Sequence, residues 1–473
     1  MSRRPLPTIG HGRLGSACSG ALLAGLVGCT PRPVGPPDLV LVLVDGLRAD
    51  PPGEAAAEAA LVEAASLDDP VRFERAYAQS PSARLGLRSL LSGRYPAAIP
   101  VCLPAEGGEA GDGLECVEVP DSRPMLQEVL SAYGYHTALF ELDVASWTDL
   151  PPRLALEPAV GPTRGFGATG QVTLDEWAGG ASPGIQSWWA QHADSPRFLL
   201  VRGALGSAEL AEACDAFQQG HPLGASTATP EENAGVEGAY RQAAVRAGAF
   251  VASLERDLTA GAGGRWLLLG SLYGMNLTRL EGTQANQLGC PTHRHLLERN
   301  LHVPLWVEGA GDSPRADGVV QLIDVVPTLV AAAGAVPPAG LPGRGLFTAS
   351  DEDDAAYAEF GDMLALRQGA RLVTVRCFQH GTTALDPGLT DLVEHDLAGL
   401  RAGGEGQAPQ GRCELRLHDV ERDYFQVHDL AESDGAALLA GFERLVALRR
   451  GPAAPAPTGN PALAPAGSRL DYW

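Results

Sequence analysis

Residues 39–44 are six apolar residues in succession, alternating leucine with valine and closed by Asp45-Gly46. An apolar run without polar alternation predicts a strand buried on both faces, as in a parallel sheet. Residues 137–140, 198–201, 266–269 and 303–307 are shorter runs of the same kind. Between them, residues 83–92, 125–132, 185–192, 240–258 and 323–333 carry apolar residues at helical spacing. Strands alternating with helices over about 300 residues predict an α/β doubly wound sheet with helices on both faces.

The texture changes after Phe347. Residues 357–360, 364–367, 371–377, 412–416 and 425–429 read as short strands joined by polar connections, and residues 436–449 as a closing helix. That pattern predicts a smaller α+β unit packed on the first. Residues 451–467 are rich in alanine and proline, a composition that predicts no packed structure.

The start of the chain reads as an export signal. Arg3, Arg4 and Arg13 supply positive charge, residues 14–28 are uncharged and mostly apolar or small, and Leu26-Val27-Gly28-Cys29 fits a bacterial lipobox. At about 15 residues the apolar stretch is short for a membrane span. The expected organisation is a lipoprotein signal over 1–28 and a Pro-rich tether over 29–37. An α/β domain over 38–347, an α+β subdomain over 348–450 and an Ala/Pro-rich tail over 451–473 follow. Lipidation at Cys29 would anchor the chain to a membrane of a bacterial cell envelope, on the periplasmic side or at the cell surface.

Charge narrows the partners. In 473 residues Asp and Glu outnumber Lys and Arg by 57 to 35, for a net charge of -22. Nucleic-acid binders need a basic footprint, so a phosphate-backbone partner is not expected. Of eight Cys, Cys18 falls in the signal and Cys29 is the lipid site. Cys102, Cys116, Cys214, Cys290, Cys377 and Cys413 remain, an even number that suggests disulfides in an exported chain. Cys102 with Cys116 is the pairing expected first, since both lie in one Gly/Glu-rich excursion. No Cys-x-x-Cys spacing points to a structural zinc site.

Three stretches, taken in order, resemble the sulfatase branch of the alkaline phosphatase superfamily. The first is Leu39-Val-Leu-Val-Leu-Val-Asp-Gly-Leu-Arg-Ala-Asp50. The second is Arg72-Phe-Glu-Arg-Ala-Tyr-Ala-Gln-Ser-Pro81, running on to Ser89-Leu-Leu-Ser-Gly-Arg-Tyr-Pro96. The third is Val303-Pro-Leu-Trp-Val307, with Leu322-Ile-Asp-Val-Val-Pro-Thr-Leu329 and Gly340-Leu-Pro-Gly-Arg-Gly-Leu346 behind it. The resemblance covers residues 38 to 450. It implies a sulfatase-like sheet domain with a smaller C-terminal domain, and a divalent cation that stabilises transition-state charge and activates a nucleophile.

Position by position, that chemistry is mostly missing. Asp45 matches the first metal carboxylate, at the carboxyl end of the opening strand. The family's nucleophile position, counted back from Ser89-Leu90-Leu91-Ser92-Gly93, falls on Ala83, with Leu85 and Leu87 where a Pro and a supporting Arg stand in the family pattern. Ser82 is one place off. The family's Ser-Asp-His-Gly is matched by Ser271-Leu272-Tyr273-Gly274, which keeps the frame and replaces both ligands. Arg202 and Leu205-Gly206-Ser207 stand where relatives place a His and an Asp-Pro-His. His293 and His295 are what remains of the expected histidines.

The resemblance therefore implies a degenerate member, with no cofactor expected. Arg84, Arg88, Arg94, Arg202, His293 and His295 are candidates for binding an anionic glycan or another sulfated or phosphorylated group without cleaving it. Two alternatives stay open. One is an active sulfuric- or phosphoric-ester hydrolase built on Asp45, Ser82, His293 and His295 with Ca or Mg; the other is a structural partner of an active sulfatase.

Overall fold

A computed structural model describes residues 35–49, 57–98, 124–142, 165–178, 182–205, 208–220, 230–275, 296–314, 316–349, 354–360, 363–377, 413–424 and 426–450, together with the backbone of 102–104 and 114–116. The signal and lipid-site expectations at residues 1–29 and the tail at 451–473 lie outside the described residues. So do His293 and His295.

The first strands are β1 (Asp38–Asp45), β2 (Val71–Arg72), β3 (Arg75–Tyr77), β4 (Cys102–Pro104), β5 (Leu114–Cys116) and β6 (His136–Leu142). Next come β7 (Ala168–Val172), β8 (Arg197–Ala204), β9 (Arg265–Gly270), β10 (Leu305–Glu308) and β11 (Val319–Gln321). The last are β12 (Ala355–Phe360), β13 (Met363–Gln368), β14 (Arg371–Cys377) and β15 (Cys413–Asp419). The helices begin with α1 (Ala57–Ala65), α2 (Ala83–Ser92), α3 (Leu126–Ala132), α4 (Leu174–Trp177) and α5 (Pro183–Gln191). They continue with α6 (Ala208–Gly220), α7 (Pro230–Asp257), α8 (Glu298–Leu301), α9 (Val325–Ala332) and α10 (Gly435–Arg450).

The main sheet has the order β2-β10-β9-β1-β8-β6-β7. Its strands β9, β1, β8, β6 and β7 are parallel, while β10 and β2 add an antiparallel edge. Every residue of β1 and of β8 is buried, as unbroken apolar runs require in a sheet covered on both faces. These two neighbours are also bracketed by charge: acids at both ends of β1, arginines towards both ends of β8. At the amino end Arg197 Nε donates to Asp38 Oδ1 at 3.0 Å and Nη2 to Oδ2 at 2.5 Å, both side chains being buried. At the carboxyl end Arg202 meets Asp45.

α2, which opens the site, is delimited by ordinary capping chemistry. The Ser82 hydroxyl accepts from the Leu85 N–H at 3.5 Å, and Gly93 closes the helix in the left-handed region at φ 67°. The second sheet, β12-β13-β14-β15, is a separate antiparallel meander. α10 buries Phe442, Leu445 and Val446 in a core shared with Tyr357, Leu364, Val373 and Leu417 of that meander. The Glu359 amide donates to the Gln79 carbonyl at 2.9 Å, and the Tyr95 and Tyr357 rings pack edge-on at 4.9 Å. Those contacts tie the small sheet to the segments flanking α2. Among the described residues no helix is long and apolar enough to cross a membrane.

Several boundaries depart from the sequence reading. The strand expected at 303–307 starts at Leu305, because Pro304 has no N–H to offer a ladder. Of the strand expected at 425–429, the described residues 426–429 are in no strand, and Gln426 has φ 57°. Asp423 accepts from the Val427 and His428 amides and Asp429 from those of Leu417 and Ala431, so side chains take the hydrogen bonds a ladder would need. α1 and α6 form where the sequence reading expected no element. Cys377 and Cys413 form a disulfide, and Cys214 is also disulfide-bonded. Cys102 and Cys116 are backbone partners across the β4–β5 ribbon.

Candidate functional site

Three loops meet at the carboxyl end of the main sheet. β1 ends on Asp45, β9 runs into Ser271-Leu272-Tyr273-Gly274, and the first turn of α2 carries Ala83 and Gly86. The Gly46 amide donates to the Tyr273 carbonyl at 3.0 Å, and the Met275 amide returns to the Gly46 carbonyl at 3.0 Å. A methyl group on Gly86 would stand 3.3 Å from the Leu272 carbonyl oxygen, so the opening of α2 lies against the same loop. Asp45, Ala83, Leu272, Tyr273 and Met275 are all buried.

The charges at this point form a closed set. Leu43, Arg202 and Glu141 are in register on β1, β8 and β6, so their side chains leave the sheet on one face, and Asp45, two residues beyond Leu43, shares it. Arg202 stands on the middle strand. Its Nε donates to Asp45 Oδ2 at 2.8 Å, with Nη2 2.7 Å from the same oxygen, and its Nη1 donates to Glu141 Oε1 at 3.1 Å. Arg202 is 3% exposed and Asp45 0%, while Glu141 reaches the surface at 25%. Burial pushes the Asp45 carboxyl up to about 6, against the opposing pull of Arg202 and with a smaller push from Glu141.

This arrangement does not fit a divalent cation. Such an ion takes about six or more oxygen ligands, and here Oδ2 of Asp45 is taken by a guanidinium. Positions 272 and 273 offer a leucine side chain and a phenol. Position 46 offers nothing: Gly46 sits at φ 87°, and a side chain there would overlap the Met275 thioether. Among the described residues no group of three or more His, Cys, Asp or Glu comes together in a way that would hold a metal.

The other sequence candidates divide. Ala83 presents a methyl group at the start of α2, and the neighbouring Ser82 is buried as its N-cap. Arg88 and Arg94 are half-buried on and just after α2. The side chain of Arg84, like His293, His295 and Cys29, lies outside the described residues. Arg202 is a correction to the anion-binding reading: its guanidinium is spent on Asp45 and Glu141 instead of facing a ligand. Sequence reasoning missed Glu141 and Tyr240. The signal for Glu141 was present as a lone acid in the apolar stretch of β6; Tyr240 had none, since it reads as one more apolar position of a helix.

Tyr240 belongs to the site because it holds the turn after β1. Its hydroxyl donates to the Gly46 carbonyl at 2.8 Å and accepts from the Arg48 amide at 2.9 Å. The Arg48 guanidinium, itself buried, donates to both oxygens of Glu237 one turn earlier on α7, at 2.7 and 2.8 Å. α7 thus fixes the backbone on which Asp45 is presented.

A mixed sheet with a carboxylate at the end of its opening strand, a helix entered nearby and a small antiparallel sheet is the fold of solved sulfatases and phosphonate monoester hydrolases. Solved structures that match include the phosphonate monoester hydrolase of Agrobacterium radiobacter, at TM-score 0.56 and 16% identity over 88% of this chain and 95% of that one. The phosphonate monoester hydrolase of Silicibacter pomeroyi matches at 0.55 and 13%, over 87% and 95%. A 2-O GAG sulfatase matches at 0.55 and 14%, over 88% and 92%. No family model matches the sequence, and no curated protein matches it. The likeness is therefore one of fold.

Proposed function

We propose that this chain is a sulfatase-fold lipoprotein that hydrolyses no ester and acts by binding an anionic, sulfated or phosphorylated ligand or a protein partner. The observation that carries this reading is the ion pair between Arg202 and Asp45, together with an alanine, Ala83, at the position the resemblance assigns to the nucleophile. Covalent hydrolysis needs an activated nucleophile, and a methyl group is none. Stabilising the departing charge needs a free cation, and the Arg202 guanidinium is already bound by two carboxylates. Ser82, the hydroxyl next to Ala83, is turned to its own helix as the cap.

The testing experiment is turnover of aryl sulfates and aryl phosphates by the purified chain with calcium, magnesium or manganese, beside Ala83→Cys and Asp45→Ala. Inactivity of the natural protein and of Ala83→Cys is expected, because residues that act as a unit do not return singly. Turnover that disappears in Asp45→Ala would sink this reading. Membrane anchoring rests on the lipobox before Cys29, and mass spectrometry of the amino-terminal peptide tests it: an unmodified Cys29 refutes the anchor.

A further inference from the structure

We propose that Arg202 is a tethered substitute for a divalent cation: it supplies, from within the chain, the positive charge that holds Asp45 and Glu141 together, and its removal uncovers a cation site. The inference rests on the reading above that no metal resides at Asp45.

The physical case starts from the sheet. β1 and β6 each bring a carboxylate to the same face, on either side of β8. Asp45 is fully buried, and two acids facing one another in such a place repel unless a cation or a proton intervenes. The guanidinium intervenes here, bonding Asp45 with one edge and Glu141 with another. Its coordination is that of a bridging ion in one respect, since both acids meet the same positive group. It differs in being directional and in reaching only one oxygen of Asp45: although the Leu272 amide is near enough to favour the charged carboxylate, Oδ1 makes no hydrogen bond of ordinary geometry. A buried carboxylate oxygen with no hydrogen bond of ordinary geometry, in a group of three charges that sum to −1, is what remains when a many-handed ion is replaced by a group with fixed donors.

The amino end of the same two strands gives the contrast. Asp38 has both oxygens satisfied, by Arg197 and by the Arg197 and Gly261 amides, and no second acid approaches within ion-pair distance of that arginine among the described residues. That pair is a closed structural clamp. The pair at the carboxyl end is a site with an unused ligand atom and a second carboxylate, and Glu141 at 25% exposure opens it to solvent.

The test compares the full chain with Arg202→Ala, Arg202→Lys and the double variant Arg202→Ala/Glu141→Gln. Thermal unfolding is read in chelator and in millimolar calcium or magnesium, and ion binding by titration calorimetry. The natural chain should unfold at the same temperature in all three conditions. Arg202→Ala should unfold earlier in chelator, gain several degrees with calcium or magnesium and bind one ion, as ligand linkage requires. The gain should vanish in the double variant, and Arg202→Lys, which keeps the charge, should be indifferent to the ions.

No gain in Arg202→Ala overturns the inference, as does a gain that survives loss of Glu141. If Arg202→Ala is insoluble in chelator it must be recovered with calcium present throughout, and insolubility under both conditions also counts against it. Stabilisation of the natural chain by these ions, with turnover, would instead refute the proposed function.

Discussion

The hydroxyl of Tyr240 donates to the carbonyl of Gly46 at 2.8 Å, joining the middle of α7 to the turn after β1 across 194 residues of sequence. The same oxygen accepts from the Arg48 amide, so one phenol satisfies two backbone groups that are sealed from water. Tyr240→Phe leaves the Arg48 amide unpaired and takes one of two donors from the Gly46 carbonyl, which keeps the Met275 amide, while preserving the ring. A buried polar group without a partner costs about 1–3 kcal/mol, and a loss on that scale is expected in denaturant unfolding. A change within error would mean that water replaces the phenol.

Asp45 should leave a signature in the pH dependence of stability. Its folded value is about 6 against an ordinary 3.8, so between those limits the folded chain holds the proton more tightly than the unfolded one. The contribution of this group is therefore present below about pH 4, falls as pH rises towards 6, and is constant above. Unfolding free energies of the natural chain and Asp45→Asn, measured from pH 4 to 7, should diverge in favour of the variant by on the order of 2–3 kcal/mol. Parallel curves would show that Asp45 ionises as an ordinary carboxyl.

Gly274, in the loop after β9, is held to glycine by packing. A methyl group there would overlap the Arg299 carbonyl oxygen and crowd the Arg48 Cβ at 2.8 Å, and neither backbone retreats cheaply. Gly274→Ala should cost about 1–3 kcal/mol, as overpacking does. Expression with an unchanged unfolding midpoint would contradict the close approach.

The Cys377–Cys413 bridge closes the ends of β14 and β15 over a sequence separation of 36. Chain-entropy arguments give a cross-link of that span about 3–4 kcal/mol. The Cys377→Ser/Cys413→Ser double variant should be less stable by up to that amount, and a reductant should lower the natural chain towards it. Equal stability of variant and natural chain would refute the bridge as a stabilising link.

Part of the site was legible along the chain. Asp45 was visible as an acid closing an apolar run, and Ala83 and Leu272-Tyr273 as replacements inside retained frames. The geometry adds that these positions are packed with apolar volume: Met275 covers Gly46 and α2 lies against Leu272. Sequence offered no sign of that, because which side chain fills a gap depends on loops far apart along the chain.

The sequence by itself determined the five apolar strands β1, β6, β8, β9 and β10 of the main sheet and the resemblance in fold, since unbroken apolar runs and ordered motifs are local properties of the chain. It also displayed the charges: Asp38 and Asp45 bracketing one apolar run, Arg197 and Arg202 flanking another. The tertiary structure alone decided what those charges mean. Parallel pairing with Leu39 opposite Phe198 brings acid to arginine at each end of two adjacent strands. Glu141 enters from a third strand and makes one of those pairs a triad. Arg202 read along the chain is a cation available for a ligand, and only register, which fixes the face each side chain leaves by, turns it inward onto Asp45.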